Sequence, residues 1–494
     1  EDESRALGWY RKAAEQNDPT ALFHIGRAYE SGKVVPQDFG KSIECYEKAS
    51  ELGSTEATFH LGELYYSSFS VPRNIPKAVR YFERAASSGN LKAKGILAEL
   101  YIRGTDVPKN MGKAVDLLNE LTEKSDGHAY YMLGCLYLNG DGFPQDYLRC
   151  AEFFRFGADL GNIDSMYSIG TLYEKGLGVA QSFREASRWY QKAADKGHVR
   201  SMYRLGFFYR HGYGVMQDYS TAFSYWNSAA SHDDPDSCLA LGEMYEEGTG
   251  IEQDLSMAMD CYRKIAKKGN VTAQNHLGSL YLHHRELEDS ALNAFNWYTK
   301  SAAGGDADGT CALAGLYLSG TGCERNPQEA LRLYRMAEAL GSKDAAYHLG
   351  VIYDEGQYTE RNTIEAQKSF EAAAESGNAD AQCRLAAYFE NGVNGAPDPQ
   401  RAVSLYRSAA AAGNIDASYR LALMYRDGRG IPVDCMKAYV WSALSIAAGN
   451  QSPEVQSLSD LMSRKLTLDE LDEAQREASV VFEEWNRGRF GTNS

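Results

Sequence analysis

Histidine recurs at one place in a periodic pattern: His24, His60, His276 and His348 are separated by multiples of 36 residues. Imidazole is a common metal ligand and the usual general base near neutral pH. His24 and His60 stand one period apart, about 10 Å if the periods are stacked helix pairs, which is too far to share one metal ion. They read as packing or solvated side chains. Nine cysteines are present, Cys45, Cys135, Cys150, Cys238, Cys261, Cys311, Cys323, Cys383 and Cys435, and none forms a CxxC. Cys45 shares a register with Cys261 and Cys311 with Cys383, but neither pair lies in adjacent periods. They read as free thiols filling small core sites, which leans toward a reducing compartment. Gly176-Leu177-Gly178 and Gly248-Thr249-Gly250 resemble phosphate loops, yet they follow helical patterns instead of strands, so they read as helix caps. No Walker loop, GxSxG or HExxH occurs, and carboxylates are too evenly spread for any pair to stand out. Two sequons, Asn270-Val271-Thr272 and Asn450-Gln451-Ser452, fall in turns and are weak signals. No catalytic residue, metal ligand or cofactor is expected.

The elements that carry these residues repeat. A 36-residue unit runs twelve times through residues 21–452 of the 494-residue chain, without insertion or deletion. In one copy, residues 165–200, Met166, Ile169, Gly170 and Tyr173 lie at helical spacing, and the glycines Gly176 and Gly178 follow. Ala186, Trp189, Tyr190, Ala193 and Ala194 then mark a second helix, which Gly197 ends. Each unit is therefore two helices and two short turns. The first helix carries a small residue in its middle (Gly26, Gly62, Ala98, Gly134 and onward), which predicts a close backbone approach there, matched by alanines such as Ala78 and Ala114 on the second helix. An aromatic follows three residues later in all twelve copies, from Tyr29 to Tyr425, and is expected to plug the space. Gly53, Gly89, Gly161 and their equivalents need left-handed φ at helix C-termini. Asn90, Asn162, Asn270, Asn378, Asn414 and Asn450 are expected N-caps. The aspartates that follow, such as Asp164 and Asp308, suit the helix dipole and account for part of the acidic excess. Three copies break the glycine loop, at Ser67-Ser68-Phe69, His283-His284-Arg285-Glu286 and Asn394-Gly395-Ala396-Pro397.

This pattern resembles the Sel1-like repeat family, a relative of the tetratricopeptide repeat. The best copies begin ALFHIGRAYESGKVVPQDFG at Ala21, SMYSIGTLYEKGLG at Ser165 and ASYRLALMYRDGRG at Ala417. The resemblance implies an all-α fold, a right-handed α-solenoid superhelix of stacked antiparallel helix pairs, and a protein that binds other proteins without being an enzyme. Residues 1–20 read as the second helix of an incomplete repeat, so Glu1 is expected to be a processed or trimmed end. Residues 453–494 read as a helical cap with a frayed tail from Gly488. Thr467-Leu468-Asp469-Glu470 opens its helix as a capping box that runs to about Trp485. The Ala438-Tyr439-Val440-Trp441 stretch and the tail resemble the end of bacterial members.

The net charge is −16, which argues against nucleic acid and against anionic lipid. No run approaches a transmembrane span. The favoured function is a non-catalytic scaffold or adaptor that holds a protein or extended peptide on its concave face. The alternative is an envelope protein recognising a glycan or peptidoglycan, and a hydrolase like the penicillin-binding cysteine-rich relatives ranks below both. In related solenoids the first helix lines the groove, and that register brings Phe23, Phe59, Tyr131, Tyr167, Tyr203, Tyr347 and Tyr419 to it as a ladder of rings. Charge stands beside it: Arg200, Arg204 and Arg210, with Lys196, His198 and His211, precede an acidic stretch that includes Glu243, Glu246 and Glu247. The partner is a protein or peptide of unknown identity, and the chain is expected to act as a monomer or weak homodimer. Export or the bacterial envelope is favoured over the cytoplasm or delivery into a host cytosol.

Overall fold

The computed structural model describes residues 2–67 and 71–490, with side chains over 3–67 and 71–485. Among these residues every regular element is a helix. A lone helix, Asp2–Ala14, is followed by twelve helix pairs, from Pro19–Ser31 with Phe39–Glu51 to Ile415–Asp427 with Cys435–Ala447. Pro453–Ser463 and Leu468–Phe490 close the described chain. The fold is an all-α solenoid of stacked antiparallel hairpins.

The chain divides into two compact units, Glu1–Asp234 and Pro235–Ser494. Each contains six hairpins. Within a unit the second helix of one hairpin packs on the first helix of the next. First helices of neighbouring hairpins also touch, as Gly127–Asn139 does with Ile163–Lys175 in the first unit and Val271–His283 with Ala307–Ser319 in the second. The first-helix side is thus the more crowded side of each stack.

The turns form where the residues demand. Asn90, Asn162, Asn270, Asn378 and Asn414 cap their helices by accepting a backbone N–H three residues on. Asn450 does not: Pro453 takes the first helical position, so Ser452 is the cap and Asn450 Oδ1 accepts the Ser452 N–H at 3.1 Å. Gly53 and Gly89 adopt φ of 95° and 90°, the left-handed conformation that ends the second helix. The first glycine of the G-x-G loop is a cap, with Gly176 N–H on the Leu172 carbonyl. The second does more: Gly178 lies against the backbone of Tyr147 in the preceding hairpin, where no Cβ fits.

The small residue of the first helix has a different neighbour from the one expected. A ring fills most of the space over it, with second-helix backbone also near, as the Ala186 carbonyl is at Gly170. A Cβ on Gly62 would lie 2.5 Å from Phe82, and one on Gly26 would lie 2.6 Å from Tyr46. Both rings are fully buried. Where the second helix offers only Leu118 or Ser442, the first carries Ala98 or Ala422. Ala314 and Ala386, in register with Tyr334 and Tyr406, depart from this pairing, and nothing in the structure explains them. The aromatic three residues on is half-buried in ten repeats, and only Tyr101 and Tyr425 are buried. Its carbonyl closes the turn, as Tyr137 does for the Asp146 N–H at 3.0 Å. A cation often covers its ring, with Lys77 4.2 Å from Tyr65 and Arg401 3.9 Å from Phe389.

Of the three irregular loops, residues 68–70 lie outside the described residues. At the second, Asp289 takes φ 51° and makes no side-chain cap. At the third, Asn394 bonds Thr363 and Gln367 of the preceding hairpin. At the far end, Thr467 and Glu470 form the reciprocal capping box. The helix it opens runs to Phe490, beyond the expected Trp485, and residues 491–494 of the expected frayed tail lie outside the described residues. Ala474 and Trp485 bury Val440 and Leu444 of the last hairpin.

Candidate partner-binding face

The third position of each repeat sits on the first helix, one residue after the buried stripe begins, so its side chain is held at the edge of the core. Phe59 is buried; Phe23, Tyr131, Tyr167, Tyr203, Tyr347 and Tyr419 are half-buried. Five of the rings lean on the large residue of their own second helix. Phe23 lies 5.6 Å from Tyr46, Phe59 5.9 Å from Phe82, Tyr131 5.8 Å from Phe154, Tyr167 5.6 Å from Tyr190 and Tyr347 6.2 Å from Phe370. Trp226 adds an N–H donated to the Tyr203 carbonyl at 3.0 Å. The rings therefore pack the hairpin with one side and keep part of the other side open. Aromatic side chains suit that double duty, having a broad apolar body and, in tyrosine, a polar tip. Burial, with Cys135 as the next influence, pushes the Tyr131 hydroxyl well above the usual phenol value.

The charged candidates have a different fate. Arg204 pairs with Glu174 and lies over Phe207 at 4.8 Å. Glu174 in turn accepts the Tyr190 hydroxyl at 2.6 Å. Arg210 is half-buried, 5.9 Å from the Trp226 ring, whereas Arg200 is exposed. In the second unit Glu246 accepts the Tyr262 hydroxyl at 2.8 Å and faces His276 Nδ1 at 3.6 Å. Glu243 is half-buried on the same helix. Burial alone would raise the Glu246 carboxyl, but the approach of His276 and the hydrogen bond from Tyr262 outweigh it and hold the group below its ordinary value. Arg204 and Glu246 thus spend their charge inside the chain. An exposed charge such as Arg200 is open to an incoming chain.

These contacts belong to a recurring network that sequence reasoning missed. The second-helix tyrosine donates to a glutamate sixteen residues earlier in Tyr46–Glu30, Tyr190–Glu174, Tyr262–Glu246 and Tyr406–Glu390, at 2.6 to 2.9 Å. Thirty residues after that glutamate, on the next first helix, stand His60, Arg204, His276 and Arg420. The signal was present as a co-occurrence of Tyr, Glu and a base at those spacings. The recurring histidines stack: His24, His60, His276 and His348 each lie over the tyrosine of the preceding second helix, at 4.5, 6.0, 4.7 and 5.2 Å.

One cleft opens on this side of the first unit, between Leu91–Arg103 and Gly127–Asn139. Ile102, Tyr131, Met132, Cys135 and Leu136 line it, with Glu99 and His128 among the polar residues around them. Gly95 leaves a gap in the ring ladder beside it, where an added Cβ would meet nothing within 4 Å. No disulfide joins any of the nine cysteines. Burial pushes the Cys150 thiol up to about 12 and that of Cys383 up to about 11, so neither is a ready nucleophile. Among the described residues, no group of three or more His, Cys, Asp or Glu side chains is placed to hold a metal ion. No described helix is long and apolar enough to cross a membrane.

Comparison with protein families matches thirteen segments to the family described as Sel1 repeat: residues 1–18, 19–54, 55–90, 95–126, and then nine of equal length from 127–162 to 415–450. No curated protein matches the chain. Among solved structures, a protective antigen of uropathogenic Escherichia coli, c5321, displaying an SLR fold, is 28% identical with a TM-score of 0.66. The match covers 92% of this chain and 97% of that one. A Sel1 repeat protein from Oxalobacter formigenes is 29% identical over 50% of this chain and 99% of its own, with a TM-score of 0.45.

Proposed function

The chain belongs to the Sel1 repeat family, and from that premise we propose that it is a non-catalytic scaffold holding a protein or extended peptide along the first helices. The family's solenoids typically serve as surfaces for other proteins. One observation carries the reading to a face: Tyr131, Tyr167 and Tyr203 occupy one register in three successive repeats, all half-buried, with the Tyr131 and Tyr167 rings braced on their own second helices. Rings held in this way lose little freedom when a partner covers them, which lowers the cost of association. Tyrosine is also among the residues most often found at the energetic centre of interfaces. Long apolar and aromatic contact with few free charges favours an extended segment over a highly charged ligand.

Site-specific photo-crosslinking tests the face. A benzophenone side chain at Tyr167 or Tyr203 is expected to capture a partner. The same probe at Leu148 or Phe156, which are exposed on a second helix, is expected to capture none. With the captured partner purified, calorimetry on Tyr131→Ala/Tyr167→Ala should read at least about a tenfold weaker affinity, the scale of a lost aromatic anchor. Unchanged affinity in a folded double variant sinks this placement of the site.

A further inference from the structure

We propose that His276 is a protonation-dependent latch between two successive repeats of the second unit. As imidazolium it ties helix Val271–His283 to Glu246 and Tyr262 of the preceding hairpin. As neutral imidazole it leaves that joint with stacking alone. The inference goes beyond the scaffold reading and does not depend on any partner.

The geometry is specific. The His276 ring stacks on Tyr262 at 4.7 Å with an interplanar angle of 15°. Its Nδ1 faces Glu246 Oε2 at 3.6 Å, and the same carboxylate oxygen accepts the Tyr262 hydroxyl at 2.8 Å. Imidazole, carboxylate and phenol thus meet at one point where two hairpins join. The charged neighbours agree in sign. The preceding first helix, Pro235–Glu247, brings Glu243, Glu246 and Glu247 to bear on His276. His284 is the further base near Glu246, and it is paired with Glu286 at 3.0 Å. From its own hairpin, Lys300 lies over Trp297 and the Tyr298 hydroxyl lies near Ser279. From the next first helix, Asp308 is within 3.5 Å of the Ser342 hydroxyl and Cys311 is buried. The Glu246 carboxylate 3.6 Å away, followed by the other acidic neighbours, outweighs burial and raises the imidazole above its ordinary value.

His348 is an internal control. It has the same register and the same kind of stack, on Tyr334 at 5.2 Å. Leu318 stands where Glu246 stands for His276. His348 is exposed overall, yet desolvation on its packed side outweighs Asp344 and holds it below the ordinary value. The two joints therefore respond oppositely to pH. A base whose value is raised in the fold adds stability below its unfolded value of about 6.5, and that stability is lost as pH rises through the folded value. A base whose value is lowered costs stability as pH falls through about 6.5. Acidification tightens the first joint and weakens the second.

The test uses the full chain with labelled histidine rings, titrated by NMR, together with hydrogen exchange corrected for intrinsic rates. His276 is expected to titrate above His348. Protection of Val271–His283 is expected to fall several-fold between about pH 5.5 and about pH 8, the span that brackets an ordinary imidazole. Glu246→Gln should lower the His276 value and flatten that dependence. His276→Gln, which carries no titrating ring, should abolish it, and keeps the question decidable if Glu246→Gln does not fold. The latch is overturned if His276 titrates at or below His348, or if the pH dependence of protection survives in either variant.

Discussion

Glycine in the middle of a helix is unfavourable by about 0.5–1 kcal/mol relative to alanine, so its recurrence calls for a cause. The cause here is a ring. Gly62→Ala improves helix propensity, yet its Cβ would sit 2.5 Å from Phe82 in a fully buried site. Overpacking of this kind costs about 1–3 kcal/mol, so the variant should unfold at lower urea. Adding Phe82→Leu imitates the natural Ala98–Leu118 pair. If the steric account is right, the double variant should recover part of the loss, and a simple sum of two destabilisations would refute it. The thiols make a second prediction. Burial raises Cys150 to about 12 and Cys383 to about 11, so at pH 8 almost none of either is thiolate. Both should react with a disulfide reagent far more slowly in the folded chain than in urea, where their values fall back to about 8.5.

The helices were largely legible as elements because their ends are written in local chemistry. An Asn side chain satisfies an amide within three residues, and a glycine takes a left-handed φ whatever surrounds it. The one misplaced cap, Asn450, shows the limit, since a proline three residues on moved the helix start. The terminal helix offers an element-level test. Thr467 and Glu470 satisfy each other's backbone amides, and removing such a cap costs about 1 kcal/mol. Thr467→Ala should fray the start of Leu468–Phe490, read as faster hydrogen exchange there. Trp485 is 8% exposed and packs the far end of that helix against the last hairpin. Trp485→Ala should cost more, about 3–5 kcal/mol, and should expose Val440 and Leu444 to a hydrophobic dye.

Within each unit, packing contacts run mainly between consecutive helices, with lighter contacts between first helices of successive hairpins. Stability in such arrays approximates a sum of repeat terms and nearest-neighbour interfaces. Damage should therefore stay local. Gly62→Ala, in the unit Glu1–Asp234, is expected to raise exchange in Thr55–Ser67 and the adjoining hairpins while leaving Ala379–Asn391 unchanged. A uniform rise along both units would mean that the chain unfolds as one cooperative block.

Period, helix pairing, caps and the edge register of Tyr131, Tyr167 and Tyr203 follow from the order of residues alone. They rest on interactions within a few residues or on a strict repeat, and a repeat displays its own register. The partner of each glycine, the loss of Arg204 and Glu246 to internal pairs, and the stacking of four histidines on four tyrosines depend on which side chains meet across hairpins. Those meetings join residues 14 to 30 apart, through rotamers that periodicity does not encode. The charges beside the ring ladder looked available to a partner because a sequence records that a carboxylate is present. Only the packed hairpins show that a neighbouring tyrosine and a base have already claimed it, since burial makes an unpaired charge too costly to leave.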